Sequence, residues 1–212
     1  MTTELNNTAG SGSGASACSA VLFLDFDGVL NSCNWFQNSR RDNPRDPSLT
    51  NEESMIDPDA VAQLNRILET TGCDVVISSA WRRGHTMGEL LRLLVKRGMD
   101  KAHWDKFVGK TPVLDSKLPS GLFTAVERGH EIQAWLDENP GYDRIAILDD
   151  DGDMAHLMPR LVLTHGIEGL NAEKADEAIC LLNALALPPQ RSGGRQEQIV
   201  GTCECKKKKT AL

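Results

Sequence analysis

Val21-Leu22-Phe23-Leu24 is an unbroken apolar run that stops at Asp25-Phe26-Asp27-Gly28-Val29-Leu30-Asn31. A continuous apolar run bounded by turn-formers is what a strand needs when both its faces are covered, as in a parallel sheet between helices. The end of that strand then carries two carboxylates. Two residues apart on an extended chain, Asp25 and Asp27 leave on the same face. They point past the edge at which open α/β sheets bind ligands. Gly28 permits a positive φ or a crowded backbone, so the chain can swerve there and leave its carboxylates exposed.

Downstream, strand and helix patterns alternate. Asp57-Pro58 opens a helix with a capping aspartate and Pro at its first position; Val61, Leu64, Ile67 and Leu68 recur at helical spacing, and Gly72 closes it. Asp74-Val75-Val76-Ile77-Ser78-Ser79 is a second buried-strand pattern, ending in hydroxyls, and the βαβ unit so formed calls for a parallel pair with a right-handed crossover. Leu90, Leu91, Leu94 and Val95 mark another helix that ends near Gly98, and Phe107-Val108 reads as a weak third strand. A helix begins near Arg128, with Ile132, Trp135 and Leu136 at its spacing, and stops before Asn139-Pro140-Gly141. Arg144–Leu148 and Leu161–Thr164 follow as strands, and 172–186 as a last amphipathic helix. The polar stretches 31–51 and 113–127 lack periodicity and are expected to be loops.

Three of these strands end in reactive groups: Asp25/Asp27, Ser78/Ser79, and Asp149/Asp150 with Asp153. A doubly wound sheet brings such ends into one crevice. The carboxylates of Asp25, Asp149 and Asp150 would repel one another without a cation, and hard oxygen ligands beside a phosphate favour Mg²⁺. A calcium loop of the EF-hand kind is excluded at Asp149–Asp153, because the glycine and the terminal acid fall at the wrong positions.

The ends of the chain differ from its centre. Residues 1–18 are rich in Gly, Ser and Thr, without the basic start and apolar core of a secretory signal, and are expected to be a disordered leader. Residues 188–212 end in Cys203-Glu204-Cys205 and four lysines and are expected to be a disordered tail, leaving one domain over 19–187. Six cysteines form no C-x-x-C pair, so free thiols in the reducing cytoplasm are expected. No run approaches the roughly 20 apolar residues of a membrane span. The formal net charge of -7 rules out a global basic field, so a polyanionic substrate must be held by a local patch or a metal.

The segment D-F-D-G-V-L-N resembles the first motif of the haloacid dehalogenase-like (HAD) phosphohydrolases. The resemblance implies a three-layer, Rossmann-like α/β sandwich with a central parallel sheet of about five strands and a minimal cap. It also implies Mg²⁺-dependent hydrolysis of phosphomonoesters, with Asp25 as nucleophile and Asp27 as proton shuttle. Ser78, at the end of the second strand, is similar to the phosphate-binding second motif; Arg128 stands where the basic third motif usually lies, with Lys110 and Lys117 as alternatives. Asp149-Asp150 with Asp153 resembles the acidic fourth motif, so the implied metal site is Asp25, Asp149, Asp150 and the backbone carbonyl of Asp27.

Ile77–Arg82, Gly109–Pro112 and Arg128–Leu136 are similar to a narrower HAD branch associated with RNA-repair proteins. Ser79, Arg82 and Lys110 are accordingly expected on the substrate side. Neither 31–51 nor 80–127 has enough apolar residues to build an independent lid, so an open site is expected, admitting the phosphate at the end of a polynucleotide. Arg40, Arg41, Arg45, Arg82 and Arg83 are expected near its mouth. A binding module that keeps the pocket without catalysis is the alternative, and the intact Asp25/Asp27 pair argues against it.

Overall fold

The computed structural model describes residues 19–42, 48–117 and 123–184; the leader and the basic tail lie outside them. The strands are β1 (Ser19–Leu24), β2 (Asp74–Ile77), β3 (Phe107–Lys110), β4 (Asp115–Lys117), β5 (Phe123–Ala125), β6 (Tyr142–Asp149) and β7 (Leu161–Leu163). The helices are α1 (Cys33–Asp42), α2 (Asn51–Met55), α3 (Pro58–Thr71), α4 (Met87–Lys96), α5 (Arg128–Glu138) and α6 (Ala172–Asn183). Five strands form one parallel sheet in the order β3-β2-β1-β6-β7.

Side chains of β1 alternate between two cores, as a strand's period of two demands. Leu22 and Leu24 pack with Val61, Leu64 and Ile67 of α3, Leu90 and Leu94 of α4, and Ala178 and Leu182 of α6. Val21 and Phe23 point the other way, to Ile132 and Trp135 of α5 with Met154 and Leu157. The Trp135 ring meets Phe23 edge-on, centroids 5.5 Å apart, in a geometry that aromatic quadrupoles favour. The sheet is thus buried between helices on both faces, the three-layer α/β arrangement that the apolar strands imply. From β1 the chain steps outward through β2 to β3, then returns to the other side of β1 as β6, so the order reverses between β1 and β6. Ligands bind beyond such a reversal, at the strands' carboxyl ends.

Local signals set the helix ends. Asp57 accepts the Asp59 N–H at 2.9 Å to cap α3, and Gly72 ends it in the left-handed region at φ 62°. Thr86 and Glu89 form a reciprocal capping box at the start of α4.

Two expected loops are not wholly irregular. Residues 31–51 contain α1, nucleated where the Ser32 hydroxyl accepts the Trp35 N–H at 3.1 Å and the Ser32 carbonyl accepts the Phe36 N–H at 3.0 Å. Trp35 fixes this helix by donating from its indole to the Ser54 carbonyl at 3.1 Å, under the Arg97 guanidinium. A few specific hydrogen bonds, this one and those from Cys33 and Asn34 N–H to Gly166 and Ile167 C=O, hold α1, and such contacts leave no periodicity to read. Within 113–127, β4 and β5 pair antiparallel, Ser116 opposite Thr124; arms of three residues are too short for an alternation to register, although Pro119-Ser120-Gly121 is a turn signal.

Candidate active site

Backbone hydrogen bonding carries on just past the strand ends. Asp25 N–H donates to Leu148 C=O at 2.9 Å, Ser78 N–H to Leu24 C=O at 2.9 Å, Thr111 N–H to Ile77 C=O at 3.0 Å, and Thr164 N–H to Asp149 C=O at 2.9 Å. Asp25, Ser78 and Asp149 therefore sit at one level on adjacent strand ends, each fixed by its own peptide.

Asp25, Asp149 and Asp150 each present a carboxylate oxygen within 4.8 Å of the other two. Asp149 is only 2% exposed; its Oδ1 accepts the Asp151 N–H at 3.0 Å, while its Oδ2 is buried with no hydrogen-bond partner. Burial, and then the charge of Asp25, push the Asp149 carboxyl up to about 7. Burial also raises Asp25, against the opposing hydrogen bond from Ser79 and the charge of Arg128. Crowded carboxylates with an orphaned oxygen suit a small hard dication, which supplies the missing positive charge. Asp153 stands apart from the three: its Oδ2 accepts the Arg128 N–H at 3.0 Å and its carbonyl accepts the Gly129 N–H at 3.1 Å, starting α5.

The Asp27 side chain lies outside the acidic group and is held from two sides. Asn31 Nδ2 donates to its Oδ1 at 2.8 Å, and the Trp81 indole N–H lies 3.1 Å from Oδ1 and 3.0 Å from Oδ2. Asn31 Oδ1 in turn accepts the Gly28 N–H at 2.9 Å. Gly28 has φ +66°, and a Cβ there would lie 2.0 Å from Asp150 Oδ2, so the turn needs glycine for its conformation and for the approach of Asp150. The Trp81 ring stacks on His85, whose Nδ1 donates to the Trp81 carbonyl at 3.1 Å and whose Nε2 lies 3.2 Å from Glu52.

The two serines divide their work. Ser78 Oγ is fully buried without a hydrogen-bond partner. Ser79, past the end of β2, turns its hydroxyl toward Asp25 and also accepts the Trp81 N–H at 3.3 Å, capping a short 3₁₀ turn over Ala80–Arg83. Arg128, at the start of α5, has a buried Nη1 with no partner and lowers both Asp25 and Asp149 by its charge.

Arg82 and Lys110, expected on the substrate, face inward. Arg82 Nε donates to Thr111 C=O at 3.1 Å, Nη1 to Ser79 C=O at 2.8 Å and more distantly to Ser78 C=O, and Nη2 to Pro112 C=O at 3.2 Å and to Glu131. All five N–H groups are engaged within the protein, leaving none for a substrate; Arg82 instead ties the Ser78-Ser79 corner to β3 and α5. Lys110 Nζ donates to the carbonyls of Arg82 at 3.1 Å and His85 at 2.9 Å, closing the same corner. Arg83 points to Asp115 at 3.9 Å. Lys117 lies on β4, and its side chain, like those of Arg40, Arg41 and Arg45, falls outside the described residues.

A comparison with protein families matches residues 21–175 to the HAD domain in Swiss Army Knife RNA repair proteins. The chain belongs to this family. No curated protein and no solved structure matches it. In this HAD domain the matched segment runs from β1 into α6 and includes each of Asp25, Asp27, Ser78, Arg128, Asp149 and Asp150. Membership supports a phosphohydrolase type of activity. Trp81, Asn31 and Glu131 were missed from sequence as site residues, although each lies inside a segment that carries the resemblance: D-F-D-G-V-L-N, Ile77–Arg82 and Arg128–Leu136.

Proposed function

We propose that this HAD domain is a Mg²⁺-dependent phosphatase that works through an aspartyl-phosphate on Asp25 and takes phosphate from polynucleotide ends. The observation carrying this reading is that three of the buried polar atoms without partners, Ser78 Oγ, Arg128 Nη1 and Asp149 Oδ2, belong to residues around Asp25: Ser78 and Asp149 follow the strands on either side of it and the charge of Arg128 acts on it. Buried polar atoms are nearly always satisfied. Here two are donors suited to phosphoryl oxygens and one is an acceptor suited to a cation.

Asp25 attacks phosphorus, forming the Asp25 O–P bond as the ester P–O bond breaks, and Asp27 donates its proton to the departing oxygen. Water then attacks the acyl phosphate, Asp27 takes back a proton, and inorganic phosphate leaves. Ser78 and Arg128 hold the phosphoryl oxygens as charge spreads over them; Ser79 positions Asp25. Asp25, Asp149, Asp150 and the carbonyl of Asp27 would hold Mg²⁺, which supplies charge neutralisation. The catalytic unit spans 19–187 in this reading. It works in the reducing cytoplasm, and Cys33, Cys73 and Cys180 are in no disulfide.

The test is acid quenching after mixing with a 3′- or 5′-phosphorylated oligonucleotide and Mg²⁺. Phosphate bound covalently to Asp25, lost on chelation, is expected. Tight binding of the oligonucleotide with no phosphoenzyme and no turnover on any phosphomonoester would replace the phosphatase with a binding module. For substrate class, the oligonucleotide should be turned over faster than the matching mononucleotide, with an advantage that shrinks as salt rises.

A further inference from the structure

Beside Asp27 opens a cleft of about 480 Å³, a size within the range of small-molecule sites. Asp27, Gly28, Phe36, Asp150, His165 and Ile167 are among the residues lining it. We infer that this cleft is the leaving-group subsite, and that it takes the terminal nucleoside of a phosphorylated polynucleotide.

The inference rests on the phosphatase reading above. If Asp27 protonates the departing oxygen, whatever bears that oxygen must lie beside Asp27 and away from the group of Asp25 and Asp149. The cleft meets that condition: Asp27 borders it, Asp25 and Asp149 do not, and Asp150 is the one member of the acidic group among its lining.

Its walls indicate what it holds. Phe36 is half-buried and Ile167 is 49% exposed, so apolar surface stays in water unless something covers it. The lining carries the carboxylates of Asp27 and Asp150 and no lysine or arginine, so further phosphates would be repelled there and only the terminal nucleoside fits. His165 Nδ1 accepts the Ile167 N–H at 3.2 Å, which puts the hydrogen of the neutral ring on Nε2. An aromatic ring, an aliphatic side chain and a ring N–H donor suit a base and sugar, and stacking of a base on an aromatic side chain is tolerant of sequence. Cys33 and Asn34 N–H donate to Gly166 and Ile167 C=O at 3.0 Å each, so α1 and the loop after β7 are joined across the cleft floor.

The test compares kcat/KM for a phosphate-ended oligonucleotide with that for acetyl phosphate, whose leaving group is too small to reach Phe36. Phe36→Ala and Ile167→Ser should each lower the ratio of the two, Phe36→Ala by about ten-fold, and Phe36→Tyr should keep it. Ile167 is exposed, so its variant reports even if Phe36→Ala fails to fold. An unchanged ratio in both variants overturns the inference. So does a phosphoserine peptide that outperforms the oligonucleotide and depends on Phe36 in the same way, since the occupant would then be a peptide. The same Phe36 dependence is read by equilibrium binding of the oligonucleotide to Asp25→Asn. Binding that depends on Phe36 in a protein without phosphatase activity would keep the cleft and discard the hydrolysis; hydrolysis without Phe36 dependence would do the reverse.

Discussion

The Trp81 indole N–H sits astride the Asp27 carboxylate, 3.1 Å from one oxygen and 3.0 Å from the other. Asn31 reaches Oδ1 as well, so the carboxylate has little rotational freedom. This geometry makes Trp81 a positioning residue for proton transfer. Trp81→Phe keeps the ring and removes the N–H, and should slow turnover of alkyl phosphates by about ten-fold, a fraction of the general acid's usual 10²–10⁴. The rate of phosphoenzyme formation from p-nitrophenyl phosphate, whose leaving group departs without a proton, should be much less affected than its formation from an alkyl phosphate. An equal loss on both substrates would mean that the indole only fills space.

Asp25→Asn and Asp27→Asn should fail differently. The first removes the nucleophile and leaves neither turnover nor phosphoenzyme. The second keeps the nucleophile, so the phosphoenzyme should form from p-nitrophenyl phosphate and persist, with turnover down about 10²–10⁴. Rapid-quench measurement of the covalent intermediate distinguishes them.

Asp149 gives the metal-free protein a defined pH dependence. Burial, and then the charge of Asp25, push its folded carboxyl up to about 7 from an ordinary 3.8, so between those values the folded state binds more protons than the unfolded state. Stability contributed by this group therefore falls as pH rises from about 4 to 7, and the deficit is complete above 7. Asp149→Asn should raise the Tm of the metal-free protein at pH 8 by several degrees, at about 2–4 °C per kcal/mol. Mg²⁺ should raise the Tm of the wild type and not that of the variant. Thermal melts at pH 5 and pH 8, with and without Mg²⁺, read both effects.

Arg82 and Glu131 form a fully buried ion pair, with side chains 2% and 4% exposed. Removing one partner of such a pair strands the other and costs about 3–5 kcal/mol. Arg82→Met should lower the Tm by on the order of 10 °C. Pairing it with Glu131→Leu should recover much of that stability while activity stays low, because the Ser78 and Ser79 carbonyls remain without their tie. Recovery of activity along with stability would confine Arg82 to a packing role.

Gly28→Ala would meet Asp150 Oδ2 at 2.0 Å and force a side chain into φ +66°, a conformation costing about 1–2 kcal/mol in its own right. Asp150 must move away. The Mg²⁺ concentration for half-maximal activity should rise several-fold, measured by metal titration at saturating substrate.

The sheet was legible because both its faces are covered: Val21–Leu24, Val75–Ile77 and Ile145–Leu148 are apolar without interruption, and few other structures tolerate that. The juxtaposition of Asp25 with Asp149 followed from the topology. What escaped was decided by single tertiary bonds. Ser79 is expected from sequence on the substrate side, but β2 stops at Ile77, and the turn that follows brings its hydroxyl to Asp25. Arg82 is expected from sequence on the substrate side, near the mouth of the site. Only the carbonyls of Ser79, Thr111 and Pro112 converging on it, with Glu131 from α5, show a buried brace.

The Thr164 hydroxyl donates to the Gly28 carbonyl across a separation of 136 residues. Asp25 and Asp149 are likewise neighbours only through β1 and β6. During synthesis, β1, β2 and β3 can therefore emerge and pair while the acidic centre still lacks half its members. A nascent chain ending before Tyr142 has the nucleophile and the Ser78-Ser79 corner but neither of the later aspartates. On the proposed mechanism the protein acquires its chemistry only with its last strands, and a prematurely terminated product holding the D-F-D-G segment should be inert toward phosphate esters rather than weakly active.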